Sequence, residues 1–186
     1  MNRIDWSHLD AQLAQHPCAD EKEAKDVAFV RAFLRAHPED AHLRAQPLGH
    51  LTGSGFVLDA ARTHVLLLHH ARLGRWLQPG GHGEGETDPL AIALREIAEE
   101  TGLTGLTPLG KGLFDVDVHP IPARTGEPAH AHLDLRYAFV ALEGAQPRLS
   151  AESRALRWVP LGELPADADP SLRRAVGKLV ALAPPG

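Results

Sequence analysis

Three carboxylates crowd one short segment, Arg95-Glu96-Ile97-Ala98-Glu99-Glu100-Thr101-Gly102-Leu103, and a glycine-rich run, Pro79-Gly80-Gly81-His82-Gly83-Glu84-Gly85-Glu86, precedes it. A helix advancing about 100° per residue gathers Glu96, Glu99 and Glu100 within an arc of roughly 100°, so their oxygens can converge. Leu90, Leu94, Ile97, Ala98 and Thr101 take the opposite side and are expected to face a core. Carboxylates held this close repel one another unless a cation neutralises them. Hard oxygen donors at this density suit Mg²⁺ or Mn²⁺, and Mg²⁺ usually brings phosphate oxygens with it. The plainer reading is a solvated acidic helix face, which would have to coincide with the glycine run, Arg95 and Gly102.

The same residues resemble the signature of the Nudix hydrolases, Gly-x5-Glu-x7-Arg-Glu-U-x-Glu-Glu-x-Gly-U with U aliphatic. From Arg95 to Leu103 every position matches, and the spacing from Gly81 to Arg95 is the family's. One position departs: Thr87 stands where the first glutamate belongs, with Glu86 one place early. The resemblance implies an α/β fold, the Nudix-type α/β/α sandwich with a mixed sheet. It also implies water attack on a nucleoside diphosphate linked to another group, splitting the P–O–P bridge with Mg²⁺ or Mn²⁺ as cofactor. Carried over position by position, Glu96, Glu99 and Glu100 become metal ligands, with the carbonyl of Gly80 or Gly81 joining them. Glu96 is alternatively the base for the attacking water. Arg95 positions the carboxylates, and its planar fork suits that better than a lysine. Glu152, six residues before Trp158, matches a further acidic residue found in mutator-type members; an ordinary loop carboxylate is the competing reading. Glu84 and Glu86 could bind a second metal or cap the helix, and for Glu86 the structural role is preferred.

Two later segments alternate polar with apolar residues. At period two, Asp115, Asp117 and His119 share one face of a strand, and His130, His132, Asp134 and Arg136 share one face of the next. Together with His82, this face reads either as a substrate-pocket wall (Asp117, His119, His132, Asp134 and Arg136) or as a solvated sheet face. A separate zinc site is the less favoured reading, because no tight His-x3-His spacing falls on a helix. Trp76, Phe114 and Tyr137 are the candidates for stacking a base, and each could equally be core.

These groups need a frame, and the rest of the chain supplies one. Asp88 is placed to cap the acidic helix, Pro89 suits its first position, and Gly102 its left-handed end. Residues 1–45 read as a helical extension: Trp6, Leu9 and Leu13 recur at helical spacing, and Asp20 with Glu23 opens a second helix bearing Val27, Val30 and Leu34. This extension is expected to serve packing or homodimerisation, with a substrate lid as the alternative. Residues 46–186 read as the catalytic domain, with strands over 51–58, 64–70, 112–119, 132–142 and 156–159 and a last helix after Asp169-Pro170.

Composition narrows the function class. At 186 residues the chain can bury a core of its own. A net charge of −5 argues against general nucleic-acid binding; a small nucleotide-type substrate is the partner that the resemblance implies. Cys18 is the single cysteine, which excludes an internal disulfide and suits a reducing cytoplasm. No apolar run reaches the roughly 20 residues of a membrane span, and the start does not resemble a signal peptide. Two other functions remain open: a non-catalytic Nudix-like sensor, whose box carboxylates would usually be lost, and a relative of isopentenyl diphosphate isomerase. The isomerase reading needs a cysteine at the pocket, for which Cys18 is poorly placed.

Overall fold

In chain order the elements are α1 (Ser7–Ala14), α2 (Glu21–Ala36), β1 (Gly49–Leu58), β2 (His64–His70), β3 (Trp76–Leu77), β4 (Gly80–His82), α3 (Pro89–Thr101), β5 (Thr107–Pro108), β6 (Asp115–Ile121), β7 (His130–Val140), β8 (Ser153–Pro160) and α4 (Pro170–Leu182). They come from a computed structural model, which describes residues 3–126, 128–151 and 153–182. Glu152 therefore lies outside the described residues.

The spine of the sheet is the parallel pair β1/β7, in register from Gly49↔Ala131 to Leu58↔Val140. Each spine strand forks. The end of β1 meets β2 at Leu58↔Val65, while Thr52, Gly53 and Ser54 pair with His82, Gly81 and Gly80 of β4. On the other side, β7 pairs β6 from Asp115↔Arg136 to Ile121↔His130 and meets β5 near its end. β8 and β3 complete the sheet on β2. The glycine run expected as loop is thus partly a strand, and its pairing with β1 fixes it in place.

Side chains leave the two spine strands alternately, so two faces form. Leu51, Val57, Leu133, Leu135, Tyr137 and Phe139 share a core with Ala93 and Ile97 of α3 and with α1 and α2. Phe56, Leu58 and Ala138 turn to the other face, where Leu172, Ala175, Val176 and Leu179 of α4 cover them. The N-terminal helices are therefore part of one core with the sheet. Gly53 sits directly under α3: a Cβ there would lie 2.4 Å from the Pro89 carbonyl oxygen and 2.8 Å from Ile92 Cβ. That close approach sets the height of α3 above the sheet.

The expected caps form. Asp88 accepts from the Leu90 amide at 3.0 Å, Pro89 follows, and Gly102 closes α3 at φ +70°. At α2, Asp20 accepts from the Glu23 amide at 2.7 Å, but the Glu23 carboxylate turns back to the Ala19 amide and onward into the interior. The buried stripe of α3 differs from the expected one. Ile92, Ala93, Ile97, Glu100 and Thr101 are buried, while Leu94 is exposed, because the stripe is rotated towards β1.

Edge strand β6 is protected by charge. Its Val116 amide donates to Glu23 at 3.2 Å and its Val118 amide to Asp26 at 3.0 Å, so α2 takes donors that the sheet leaves over. Lys178 of α4 reaches Glu23, and Lys22 bridges Asp26 and Asp117 at 2.5 Å each.

Candidate active site

Helix α3 delivers the acidic cluster against β4. Glu100 is buried and accepts from the Gly80 amide at 2.9 Å. Glu96 is half-buried over Gly81, where a Cβ would stand 2.5 Å from its carboxylate carbon. Only glycine leaves that seat open. Glu99 remains more exposed and is held by Arg95, whose Nη1 lies 2.9 Å from Glu99 and 3.0 Å from Glu96. The same guanidinium donates through Nη2 to the His82 carbonyl at 2.5 Å, and its Nε stands 3.7 Å from Glu86. Arg95 thus ties the helix to the glycine run, and Glu86 belongs to that ion-pair cluster.

Burial pushes the Glu96 carboxyl above its ordinary value, with Glu99 and Glu84 adding repulsion and Arg95 opposing both. A carboxylate that is part-desolvated, crowded by like charge and seated in a cradle without a Cβ fits a hard divalent cation. The Glu96, Glu99 and Glu100 oxygens are the donors such an ion would use, and Gly80 and Gly81 are the backbone beside them.

The sheet face read as pocket wall or solvated surface is buried at Asp117, Asp134 and Arg136, while His82, His119 and His132 are only partly buried. The period-two grouping holds and becomes a ladder: Asp115 opposes Arg136, Asp117 opposes Asp134, and His119 opposes His132. Arg136 is 3 % exposed, bonded by Nε to Asp134 at 2.7 Å, by Nη1 to Asp115 at 3.3 Å and Ser171 at 3.0 Å, and by Nη2 to Asp117 at 3.2 Å. Arg174 adds a two-pronged contact to Asp115 at 3.0 and 2.9 Å. Its carboxylate partners hold the Arg136 charge against a burial that would otherwise expel it. Asp117 is held well below the usual carboxylate range: burial opposes this, and His119, Arg136 and Lys22 outweigh it. Asp134 also accepts from Thr52 at 3.1 Å, Ser54 at 2.9 Å and Gln78 at 3.4 Å, so the network reaches the chain entering β4. Asp117, Asp134 and Arg136 are packed among protein partners: α4 brings Ser171 and Arg174 onto this part of the face, and Lys22 of α2 reaches Asp117 from the β6 edge.

Past this network lie the histidines. His119, His132 and His50 sit side by side across β6, β7 and β1, with His130 two residues along and His82 on β4. His82 Nε2 stands 3.2 Å from His132 Nε2. Burial, then the neighbouring imidazoles, push His132 down to about 2, so it is neutral.

Two stacking candidates are interior: Tyr137 is buried, and Phe114 packs on Phe56 and under Lys178. Trp76 is half-buried, with the Arg157 guanidinium 5.1 Å from its ring centre. His50, Thr52, Ser54, Glu23 and Arg174 were missed as contributors. Polar residues at every second place from His50 to Ser54 did mark the first three, whereas Glu23 and Arg174 arrive from distant helices with no local signal.

The NUDIX domain family matches residues 49–179, and the chain belongs to it. A Mycobacterium tuberculosis protein provisionally named mutator protein MutT4 is 30% identical over 169 residues, spanning 86% of this chain and 63% of its own. An 8-oxo-(d)GTP phosphatase of Mycolicibacterium smegmatis is 34% identical over 114 residues, spanning 61% of this chain and 31% of its own. The chain thus covers less than two thirds of the length of either. Among solved structures, a NUDIX family hydrolase from Clostridium perfringens superposes with a TM-score of 0.53 at 26% identity, over 72% of this chain and 97% of that one. Among the described residues, no helix is long and apolar enough to cross a membrane.

Proposed function

We propose that this protein is a divalent-metal-dependent pyrophosphohydrolase that cleaves the diphosphate bridge of a nucleoside diphosphate linked to another moiety. The observation that carries the reading is the seat of Glu96 over Gly81, flanked on one helix by Glu99 and by Glu100 anchored on Gly80. In this reading Glu96, Glu99 and Glu100 hold Mg²⁺ or Mn²⁺, with the Gly80 carbonyl as a further ligand. The bound ion supplies charge neutralisation at the diphosphate oxygens and a more acidic water.

Around it the chain's own groups divide the work. Arg95 keeps Glu96 and Glu99 on one guanidinium and fixes the β4 backbone through the His82 carbonyl. Alternatively Glu96, half-buried and off the metal, takes the proton of the attacking water, leaving Glu99 and Glu100 to hold the ion. That water forms the new P–O bond as the bridging P–O bond breaks, and the released phosphate oxygen carries away the electron pair. Glu152 is the second candidate for the base. Asp117, Asp134 and Arg136 act as positioning residues, holding Gln78 and thus the entry to β4, while His82, His119 and His132 border the same end of the sheet.

Residues 46–186 form the catalytic unit in this reading, and residues 1–45 serve its core. The exposed, unpaired Cys18 suits a reducing cytoplasm. It also disfavours the isomerase alternative, since it sits on the link between α1 and α2. The retained carboxylates disfavour the sensor. The test is to incubate the protein with Mg²⁺ or Mn²⁺ and a panel of dNTPs, 8-oxo-dGTP, dinucleotide polyphosphates, ADP-ribose and nucleotide sugars. Chromatography should resolve two phosphorylated products from at least one. Tight binding without any product would establish the sensor instead.

A further inference from the structure

Five imidazoles converge on one end of the sheet face opposite α3. Ring centres of His50 lie 5.0 Å from His82, 5.0 Å from His130 and 4.9 Å from His132. One ligating nitrogen from each of His50, His130 and His132 falls within 4.8 Å of the other two. Two ligands of a single tetrahedral zinc at about 2.0–2.1 Å stand about 3.3 Å apart, so closing the set needs shifts of the order of an ångström. The pair His82 Nε2 and His132 Nε2 already has that spacing, at 3.2 Å.

A second observation points at a ligand. His130 is 9 % exposed, and its Nδ1 donates to the Pro128 carbonyl at 2.9 Å. That bond leaves the lone pair on Nε2, which is buried with no hydrogen-bond partner. A backbone carbonyl fixing one ring nitrogen while the other faces inward is how proteins orient histidine ligands.

We propose that His50, His130 and His132 form a binding site for a zinc-class transition-metal ion, with His82 as fourth ligand, distinct from the carboxylate site on α3. The donor set is all imidazole, which suits Zn²⁺, Co²⁺, Ni²⁺ or Cu²⁺ and not Mg²⁺. The ion would pin β7 to β1 and, through His82, the strand whose carbonyl receives Arg95. The site is independent of the hydrolytic reading: it would stand if that reading failed.

The probe is Zn²⁺, with Co²⁺ as its coloured counterpart, added to the metal-stripped full chain, followed by gel filtration and elemental analysis. The expected result is about one equivalent of Zn²⁺ retained, a visible Co²⁺ absorption of tetrahedral type, and ~10-fold or more weaker binding in His130→Ala. Glu99→Gln should retain the zinc unchanged. Imidazole ¹H–¹⁵N spectra of the unmutated protein decide the matter even if His130→Ala does not fold: Zn²⁺ should shift His50, His130 and His132 and leave exposed His8 in place. No retention, retention abolished by Glu99→Gln, or imidazole shifts confined to other histidines would overturn the proposal.

Discussion

At the scale of single residues, the acidic cluster is three carboxylates in three environments. Glu100 is buried on an amide, Glu96 is half-buried over a glycine, and Glu99 is exposed beside Arg95. Their substitutions should therefore differ. Glu99→Gln keeps the shape and removes the charge, so turnover should collapse while the melting curve of the metal-free protein stays in place; a lost fold would contradict this. Gly81→Ala is the sharper probe. Its Cβ would press on the Glu96 carboxylate, and a misplacement of about 1 Å can cost about 10²-fold in turnover. Unaltered kcat in Gly81→Ala would mean that Glu96 does not work from the seat seen here.

At the scale of elements, α2, α4 and the β6/β7 pair are joined by buried ion pairs as much as by apolar contact. Arg136→Ala would strand Asp115, Asp117 and Asp134 with less positive charge. Breaking such a pair costs about 3–5 kcal/mol, so denaturant unfolding should show a loss of that order. A change confined to KM would instead return Arg136 to a substrate wall. The network also sets an acid limit. The Glu23 carboxyl is held far below its ordinary value of 4.5: burial opposes, and His16, the Ala19 amide and Lys178 prevail. A depressed carboxyl contributes stability that is complete above the unfolded value and is lost as pH falls below it. Stability should thus drop steadily below about pH 4.5, and Glu23→Gln should flatten that slope. An unchanged slope in the variant would place the acid sensitivity elsewhere.

These elements also show what could be read in advance. The caps of α3, the strands over 64–70 and the grouping of Asp115 with Asp117 and His119 follow from local rules of spacing and turn chemistry. The pairing of β1 with β7 joins segments some eighty positions apart, and nothing in either names the other. The burial of Asp117, Asp134 and Arg136 is hidden for a similar reason: the groups that cover them, Lys22 of α2 and Ser171 and Arg174 of α4, come from opposite ends of the chain. A zinc site is the less favoured reading when only helical spacing is considered, whereas His50, His130 and His132 come together across strands.

At the scale of the whole molecule, the fold is a forked mixed sheet that holds α3 on one face and buried polar networks on the other. A cation entering among Glu96, Glu99 and Glu100 binds the native state and should stabilise it as a unit. At one hundred times its dissociation constant it would add about 2.7 kcal/mol, a rise in Tm of roughly 5–10 °C. A thermal shift with Mg²⁺ at constant ionic strength reads this directly, and no shift at concentrations that support turnover would argue against a preformed site.

The central claim is metal-dependent attack of water on phosphorus by the acidic cluster of α3. Its most direct measurement is hydrolysis of the best panel substrate in ¹⁸O-labelled water, with and without Mg²⁺, for the unmutated chain and for Glu99→Gln. The account predicts one ¹⁸O atom in one of the two phosphorylated products, formed only with metal and nearly absent in the variant. Label in a non-phosphorylated product, turnover without metal, or full turnover by Glu99→Gln would contradict it.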